Sequence, residues 1–258
     1  MGELNITSLY SGSSGNSVYV CDGDDAILID AGKSTAALCR ALCEAGGDIG
    51  RVRAVFITHE HIDHVSALPV LCRKYHIPVH IIEDSAYNMR HGDALSEYAV
   101  THPPLYCERV GAMTVKSFVT YHDSAAGVGY TVSVSEDVTL GVVTDTGHYT
   151  EDMTEALSGC THVIAETNHD IAMLRSGPYP YHIKQRILSE RGHLSNEQGA
   201  ALIAELAGRG TRSFCLAHLS QNNNTPQLAR RAVSEALADA GYAPDITVAQ
   251  QYCHTRLL

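Results

Sequence analysis

The stretch Thr58-His59-Glu60-His61-Ile62-Asp63-His64 constrains this chain more than any other. It follows the apolar run Ala54-Val55-Phe56-Ile57 directly, and it precedes a segment that reads as a helix. An apolar run of strand length is stable when a sheet buries it, so the fold must deliver metal-ligand side chains at the end of an interior strand. If the backbone is extended through His59 and His61, alternation sends both imidazoles to one side, where the pair can grip one ion. Asp63 and His64 would point apart in a strand, but a turn into a helix can aim them at a second ion beside the first. One cluster therefore predicts two metals. A lone His-x-His pair is common on protein surfaces. Asp63-His64 and the buried-type strand ahead of them are what turn this pair into a ligand set.

Composition limits the rest. The chain has 258 residues, 45% hydrophobic and 18% charged, which suits one well-cored globular domain. Its apolar runs are too short to span a bilayer, so no membrane partner is expected. Met1-Gly2-Glu3-Leu4-Asn5 lacks the basic-then-apolar pattern of a secretory signal, and the expected location is cytoplasmic. Eight cysteines occur without a C-x-x-C pair, and all are expected to be buried, reduced thiols and not ligands. The formal charge of −11 argues against a basic, nucleic-acid-coating surface. It does not exclude a nuclease, because two divalent ions bring about four positive charges of their own. One basic concentration, Arg175, Lys184, Arg186 and Arg191, precedes His193. It reads either as a solvated helix face or as phosphate contacts.

The pattern of elements is strands, then helices, twice over. Leu4 to Leu9, Val18 to Cys21 and the segment ending at Ile29 read as strands, with turns at Ser11-Gly12-Ser13-Ser14-Gly15-Asn16-Ser17 and Asp22-Gly23-Asp24-Asp25. Ser34 can cap a helix that ends at Gly46-Gly47, and Ser66 can cap another, with Pro69 in its first turn, running to Tyr75. The positive end of that helix would lie near the metals and favour an anionic substrate. Residues 83 to 111 are the least readable, and His91 and His102 read as surface loop histidines. Met113 to Thr120, Gly129 to Val134 and Val138 to Val143 are strands, as is Thr161 to Glu166. Helices follow at 150 to 158, Tyr181 to Arg191, Ser195 to Leu206 and Thr225 to Ala240, with strands at Ser213 to Ala217 and Ile246 to Tyr252. Two facing sheets with helices outside, an α+β fold arranged as a four-layer αββα sandwich, fit this order.

His59-x-His61-x-Asp63-His64 resembles the signature of the metallo-β-lactamase fold superfamily. Asp30 after Ala26-Ile27-Leu28-Ile29, His122 in His122-Asp123-Ser124, Asp145 in Val142-Val143-Thr144-Asp145-Thr146-Gly147 and His218 in Cys215-Leu216-Ala217-His218 resemble its other stations in order. The resemblance implies that His59, His61 and His122 hold one ion, that Asp63, His64 and His218 hold the second, and that Asp145 bridges them. Asp30 would steady a ligand histidine. The cofactors are then two divalent metal ions, zinc or else manganese or iron. Such a pair activates a shared water and binds the oxygens of the group attacked.

Within the superfamily, Glu166-Thr167-Asn168-His169-Asp170, Gly192-His193-Leu194-Ser195-Asn196, the Ser11 to Asn16 turn and the segment from His218 to Pro226 resemble the WalJ/YycJ/VicX branch. That resemblance implies a nuclease, a 5′-to-3′ DNA exonuclease acting on DNA ends. Asp63, His193 and Glu166 are the expected catalytic groups, with His193 protonating the leaving oxygen and Glu166 supporting it. His193 could instead serve only to start the following helix. Ser13, Asn16, Asn168, His169, Lys184 and Asn223 are candidate substrate contacts. Asp145 stands where secreted lactamases tend to have cysteine, and His61 stands where flavodiiron enzymes have glutamate. Asp145 and His218 lie too close in sequence for the β-CASP insertion of larger nuclease relatives. A small thioester or lactone hydrolase built on the same centre is the competing expectation.

Overall fold

The computed structural model describes residues 4–89 and 95–258. His91 lies outside the described residues. Fourteen strands among these residues form two seven-stranded sheets. The first has the order β14-β1-β2-β3-β4-β5-β6, where β1 is Leu4–Tyr10, β2 Ser17–Asp22, β3 Asp25–Ile29, β4 Val52–Phe56, β5 Val79–Ile82, β6 Ala99–His102 and β14 Thr255–Arg256. The second has the order β13-β12-β11-β10-β9-β8-β7, where β7 is Cys107–Val110, β8 Met113–Thr120, β9 Gly127–Ser133, β10 Thr139–Val143, β11 His162–Glu166, β12 Ser213–Ala217 and β13 Asp245–Val248.

Both sheets are built alike. β1, β2 and β3 pair antiparallel, then β3 to β6 run parallel; β8, β9 and β10 pair antiparallel, then β10 to β13 run parallel. Parallel neighbours need crossovers, and helices supply them on the outer faces. Strand alternation divides the apolar side chains between an inner and an outer layer. In β3, Ile27 and Ile29 join Phe56, Tyr130, Val142 and Ile164 between the sheets. Ala26 and Leu28 pack outward against Leu38, Leu42, Leu68 and Leu71 of α1 (Thr35–Glu44) and α3 (Leu68–Tyr75). On the other side Val143, Val163 and Phe214 meet α5 (Glu151–Leu157), α8 (Asn196–Gly208) and α9 (Pro226–Ala240). The result is the expected αββα sandwich.

Local signals held where side chains cap. Ser34 caps α1, Thr225 caps α9 ahead of Pro226, and Ser195 with Gln198 forms a reciprocal capping box at α8. Others require correction. Ser66 does not cap α3: its hydroxyl bonds the Lys33 carbonyl, and a separate four-residue helix, α2 (Ile62–Val65), precedes Ala67. No single long helix therefore aims its N-terminus from Ser66 at the cluster. The helix expected to Arg191 is α7 (Tyr181–Ile187) only, because Gly192 packs on the Arg186 and Ile187 carbonyls. The strand expected to Tyr252 ends at Val248.

His102 is not on a surface loop. It ends β6, is buried, hydrogen-bonds His80 at 2.9 Å and stacks on Tyr106 at 3.9 Å between ring centroids. Residues 83–89 include α4 (Glu83–Asn88). All eight cysteines are free, but Cys43, Cys107 and Cys253 are exposed, unlike the buried thiols expected. No helix among the described residues is long and apolar enough to cross a membrane.

Candidate metal centre

The carboxyl ends of β3, β4, β8, β10, β11 and β12 open on the same edge of the sandwich, and the sequence-predicted ligands sit just beyond them. In parallel sheets this edge is where successive loops converge. Three of the residues there hold left-handed backbone conformations: Asp30 (φ 62°), Asp145 (φ 58°) and His218 (φ 57°). Such geometry costs a non-glycine residue about 1–3 kcal/mol and is kept where the surrounding contacts over-determine it.

Asp30 is the keystone of the first half. Its carboxylate accepts the Thr58 N–H at 2.9 Å, the Thr58 hydroxyl, and His64 Nδ1–H at 2.8 Å. The Thr58 oxygen lies 3.1 Å from His59 Nδ1 and accepts from it. Both rings are thus fixed through Nδ1, so that Nε2 is the atom each can offer as a ligand. His122 is fixed in the same way by the Gly192 carbonyl, 3.0 Å from Nδ1. His59 Nε2 and His61 Nδ1 stand 3.0 Å apart, and ligand atoms of His59, His61 and His122 converge within 4.8 Å of one another.

A second convergence joins Asp63, His64 and His218. Asn16 donates towards Asp63 Oδ2 at 3.2 Å and lies 3.0 Å from His64 Nε2, while Ser11 accepts the His218 N–H at 2.7 Å. Asp145 lies between the sets, with Oδ1 3.8 Å from His122 Nε2 and Oδ2 3.4 Å from His64 Nε2. Gly32 is required by packing here, since a Cβ would stand 2.0 Å from the Asp63 carbonyl oxygen and 2.5 Å from the Asn16 nitrogen, both backbone atoms. Gly32→Ala is expected to lower stability by about 1–3 kcal/mol, read as a lowered denaturant midpoint. A midpoint within error of the parent would contradict that packing account.

Glu166, fully buried, holds the other half. It accepts from His218 Nδ1 at 2.9 Å, His193 Nδ1 at 2.8 Å and the backbone N–H groups of Thr146 and Leu194. The sequence reading linked it to His193 alone. The same carboxylate also orients His218. The His193 ring stands 4.9 Å from that of His122 and 5.2 Å from that of His218.

The field at the site is built for cations. Burial alone would raise the Asp63 and Glu166 carboxyls, but the neighbouring histidines hold both well below the usual carboxylate range. Burial would lower His64, yet Asp30, Asp63 and Asp145 push it up to about 9, and Asp145 with Glu166 and Asp63 likewise raises His218. His59 is driven well down by burial and by the other imidazoles. Two buried atoms, Asp145 Oδ2 and His218 Nε2, have no hydrogen-bond partner. Orphans of that kind at the focus of imidazoles and carboxylates fit divalent cations, and an all N and O donor set suits zinc, manganese or iron.

The candidate substrate contacts divide. Ser13 is exposed and Lys184 half-buried, its ammonium donating to the Arg175 carbonyl at 2.7 Å. Asn16 contacts the expected ligands, and Asn168 bonds the His218 carbonyl at 2.7 Å, so both brace the centre. His169 and Asn223 are 1% and 0% exposed, as deeply buried as the expected ligands themselves. Neither ring nitrogen of His169 has a hydrogen-bond partner, and burial pushes its pKa down to about 4. Between pH 6.5 and 4 the unfolded chain takes up a proton that the folded ring refuses. Its stability contribution is therefore complete above about pH 6.5 and lost as pH falls towards 4, by about 3 kcal/mol at the limit. Urea midpoints from pH 7 to 4 should fall less steeply for His169→Leu than for the parent. Parallel profiles would refute this.

Thr58, Glu60 and Asp123 had no assigned part in the sequence reading. Glu60 ties the His59 loop to the loop after His122, accepting from the Ala125 N–H and the Ser85 hydroxyl. Asp123 lies 3.1 Å from His122 Nε2 and pairs with Arg186. The available signal was adjacency in the chain: Thr58 precedes His59, Glu60 lies between His59 and His61, and Asp123 follows His122.

Comparison with known proteins agrees with this architecture. An exodeoxyribonuclease YycJ from Bacillus anthracis is 36% identical over 241 residues, covering 93% of this chain and 91% of the relative. An exodeoxyribonuclease WalJ from Streptococcus pneumoniae is 34% identical, over 90% of this chain and 87% of its own length. Among solved structures, the metallo-beta-lactamase fold protein YhfI from Bacillus subtilis superposes with a TM-score of 0.74 at 15% identity, covering 98% of this chain and 99% of that one. The short form of human tRNase Z gives 0.66 at 16% identity, with 97% and 96% covered. The profile of the metallo-beta-lactamase superfamily matches residues 10–176, and with the paired sheets and histidine cluster at their common edge, this chain belongs to that superfamily.

Proposed function

We propose that this protein is a dinuclear metal-dependent phosphodiesterase, a 5′-to-3′ exonuclease acting on DNA ends. His59, His61 and His122 would hold one ion, Asp63, His64 and His218 the other, and Asp145 would bridge them. When bound, such a pair lowers the pKa of a shared water to near neutrality and neutralises charge on the phosphoryl oxygens.

The observation that supports this reading most is the His193–Glu166 pair beside the ligand rings. Hydrolysis of a phosphodiester expels a poor leaving group, an alkoxide, which needs a proton as the bond breaks. Glu166 fixes His193 through Nδ1, so in its imidazolium form Nε2–H is the proton available to that oxygen. Asp63, at the rim of the cluster and held ionised, would position the attacking water. The names of the two curated relatives point to the same substrate class.

The test is cleavage of DNA labelled at its 5′ or its 3′ end, by protein loaded with zinc, manganese or iron and by chelator-treated protein. The loaded form should release 5′-labelled mononucleotide first and shorten the 3′-labelled strand progressively. Equal cleavage with and without chelator, or turnover of lactones and thioesters but not of DNA, would refute it.

A further inference from the structure

We propose that the cleft between α6 (Ile171–Ser176) and α7 is the strand-holding subsite for a single-stranded polynucleotide at the rim of the centre. The proposal rests on the phosphodiesterase reading above. The cleft is open, about 460 Å³, and lined by Arg175, Tyr181, Lys184, Gln185 and Leu188. Three ties set it at the rim of the centre. Tyr179 accepts from Asn222 in the loop after His218, Arg186 pairs with Asp123 beside His122, and the His193 N–H donates to the Ile187 carbonyl at the end of α7.

The charge distribution singles out two of the four cations in this region. Arg186 is spent on Asp123, and Arg191 donates to the His122 and Ser124 carbonyls, so both hold the ligand loop. The Arg175 guanidinium has no ion-pair or hydrogen-bond partner among the described residues, and the Lys184 ammonium has the Arg175 carbonyl alone. On a chain of net charge −11, two uncompensated cations in one cleft form a local exception to the prevailing field. Beside them Tyr181 is 77% exposed, on a helix whose ends are anchored. An exposed aromatic face flanked by cations is what an unpaired base and its neighbouring phosphates recognise, whereas a duplex hides its base faces. The strand would run from the phosphorus at the metals past His193 and along α7.

The experiment compares metal-loaded parent, Arg175→Ala/Lys184→Ala, Tyr181→Ala and Tyr181→Phe on a single-stranded oligonucleotide over a series of salt concentrations. Bis(p-nitrophenyl) phosphate, which spans one phosphorus, is the reference for the metal centre. The double variant should lower the ratio of oligonucleotide to small-substrate kcat/KM by about tenfold or more, and make the logarithmic salt dependence shallower by about 1.4 for two phosphate contacts. Tyr181→Ala should raise the oligonucleotide KM by about tenfold, and Tyr181→Phe should restore it, because stacking needs the ring and not the hydroxyl. Turnover of both substrates with an unchanged ratio and salt slope would overturn the cleft while leaving the phosphodiesterase reading intact. A parent that cleaves neither substrate would overturn both.

Discussion

Asp145→Asn is expected to lower the rate of DNA cleavage by about a thousandfold or more and to reduce the bound metal below that of the parent. The proposed bridging role makes this carboxylate common to both ions, with its oxygens facing His122 on one side and His64 on the other. In that role, loss of its charge would remove the group proposed to hold two cations together, and with it several kcal/mol of transition-state stabilisation. Asparagine is the sharper variant because it tolerates the left-handed backbone at φ 58°, where alanine would add strain. Metal content by elemental analysis and a thermal melt of the same sample separate lost chemistry from lost folding. Two tightly held ions with a rate within tenfold of the parent would remove Asp145 from the centre.

His193→Ala should lower DNA cleavage by about 10²–10⁴-fold, the usual worth of a positioned general acid. Metal content should be preserved, because His193 is not among the proposed ligands. The loss should be far smaller on bis(p-nitrophenyl) phosphate, whose leaving group departs without a proton. Glu166→Gln behaves differently under the same geometry. It disturbs His193 and His218 together, so it should impair both metal retention and proton delivery. Equal losses for His193→Ala on DNA and on the activated substrate would rule out the acid role and leave His193 as a spacer between Gly192 and the cap at Ser195.

Local chemistry made much of this protein legible without coordinates. The order of apolar runs, the turn at Asp22 to Asp25 and the caps at Ser34, Ser195 and Thr225 act over a few residues, and the elements formed where they indicate. Ser66 misled because a serine before an apolar-periodic run satisfies the cap pattern whether or not its hydroxyl is free. Here that hydroxyl is taken by the Lys33 carbonyl, a partner 33 residues away. His102 misled for a similar reason: it is covered by Tyr106 in the loop before β7 and by His80 on the neighbouring strand β5, a partner its own flanks do not encode.

The sequence by itself determined the kinds of donor atom present and the strand ends that carry them, since residue type and strand periodicity are properties of the chain. Only the tertiary structure decided which atoms meet. It brought Asp145 between two imidazole sets, put one carboxylate, Glu166, behind both His193 and His218, and withdrew His169 and Asn223 from solvent. Hydrogen bonding and burial depend on the distance between atoms in space. For groups tens of residues apart, that distance is set by how the two sheets pack and not by any local pattern.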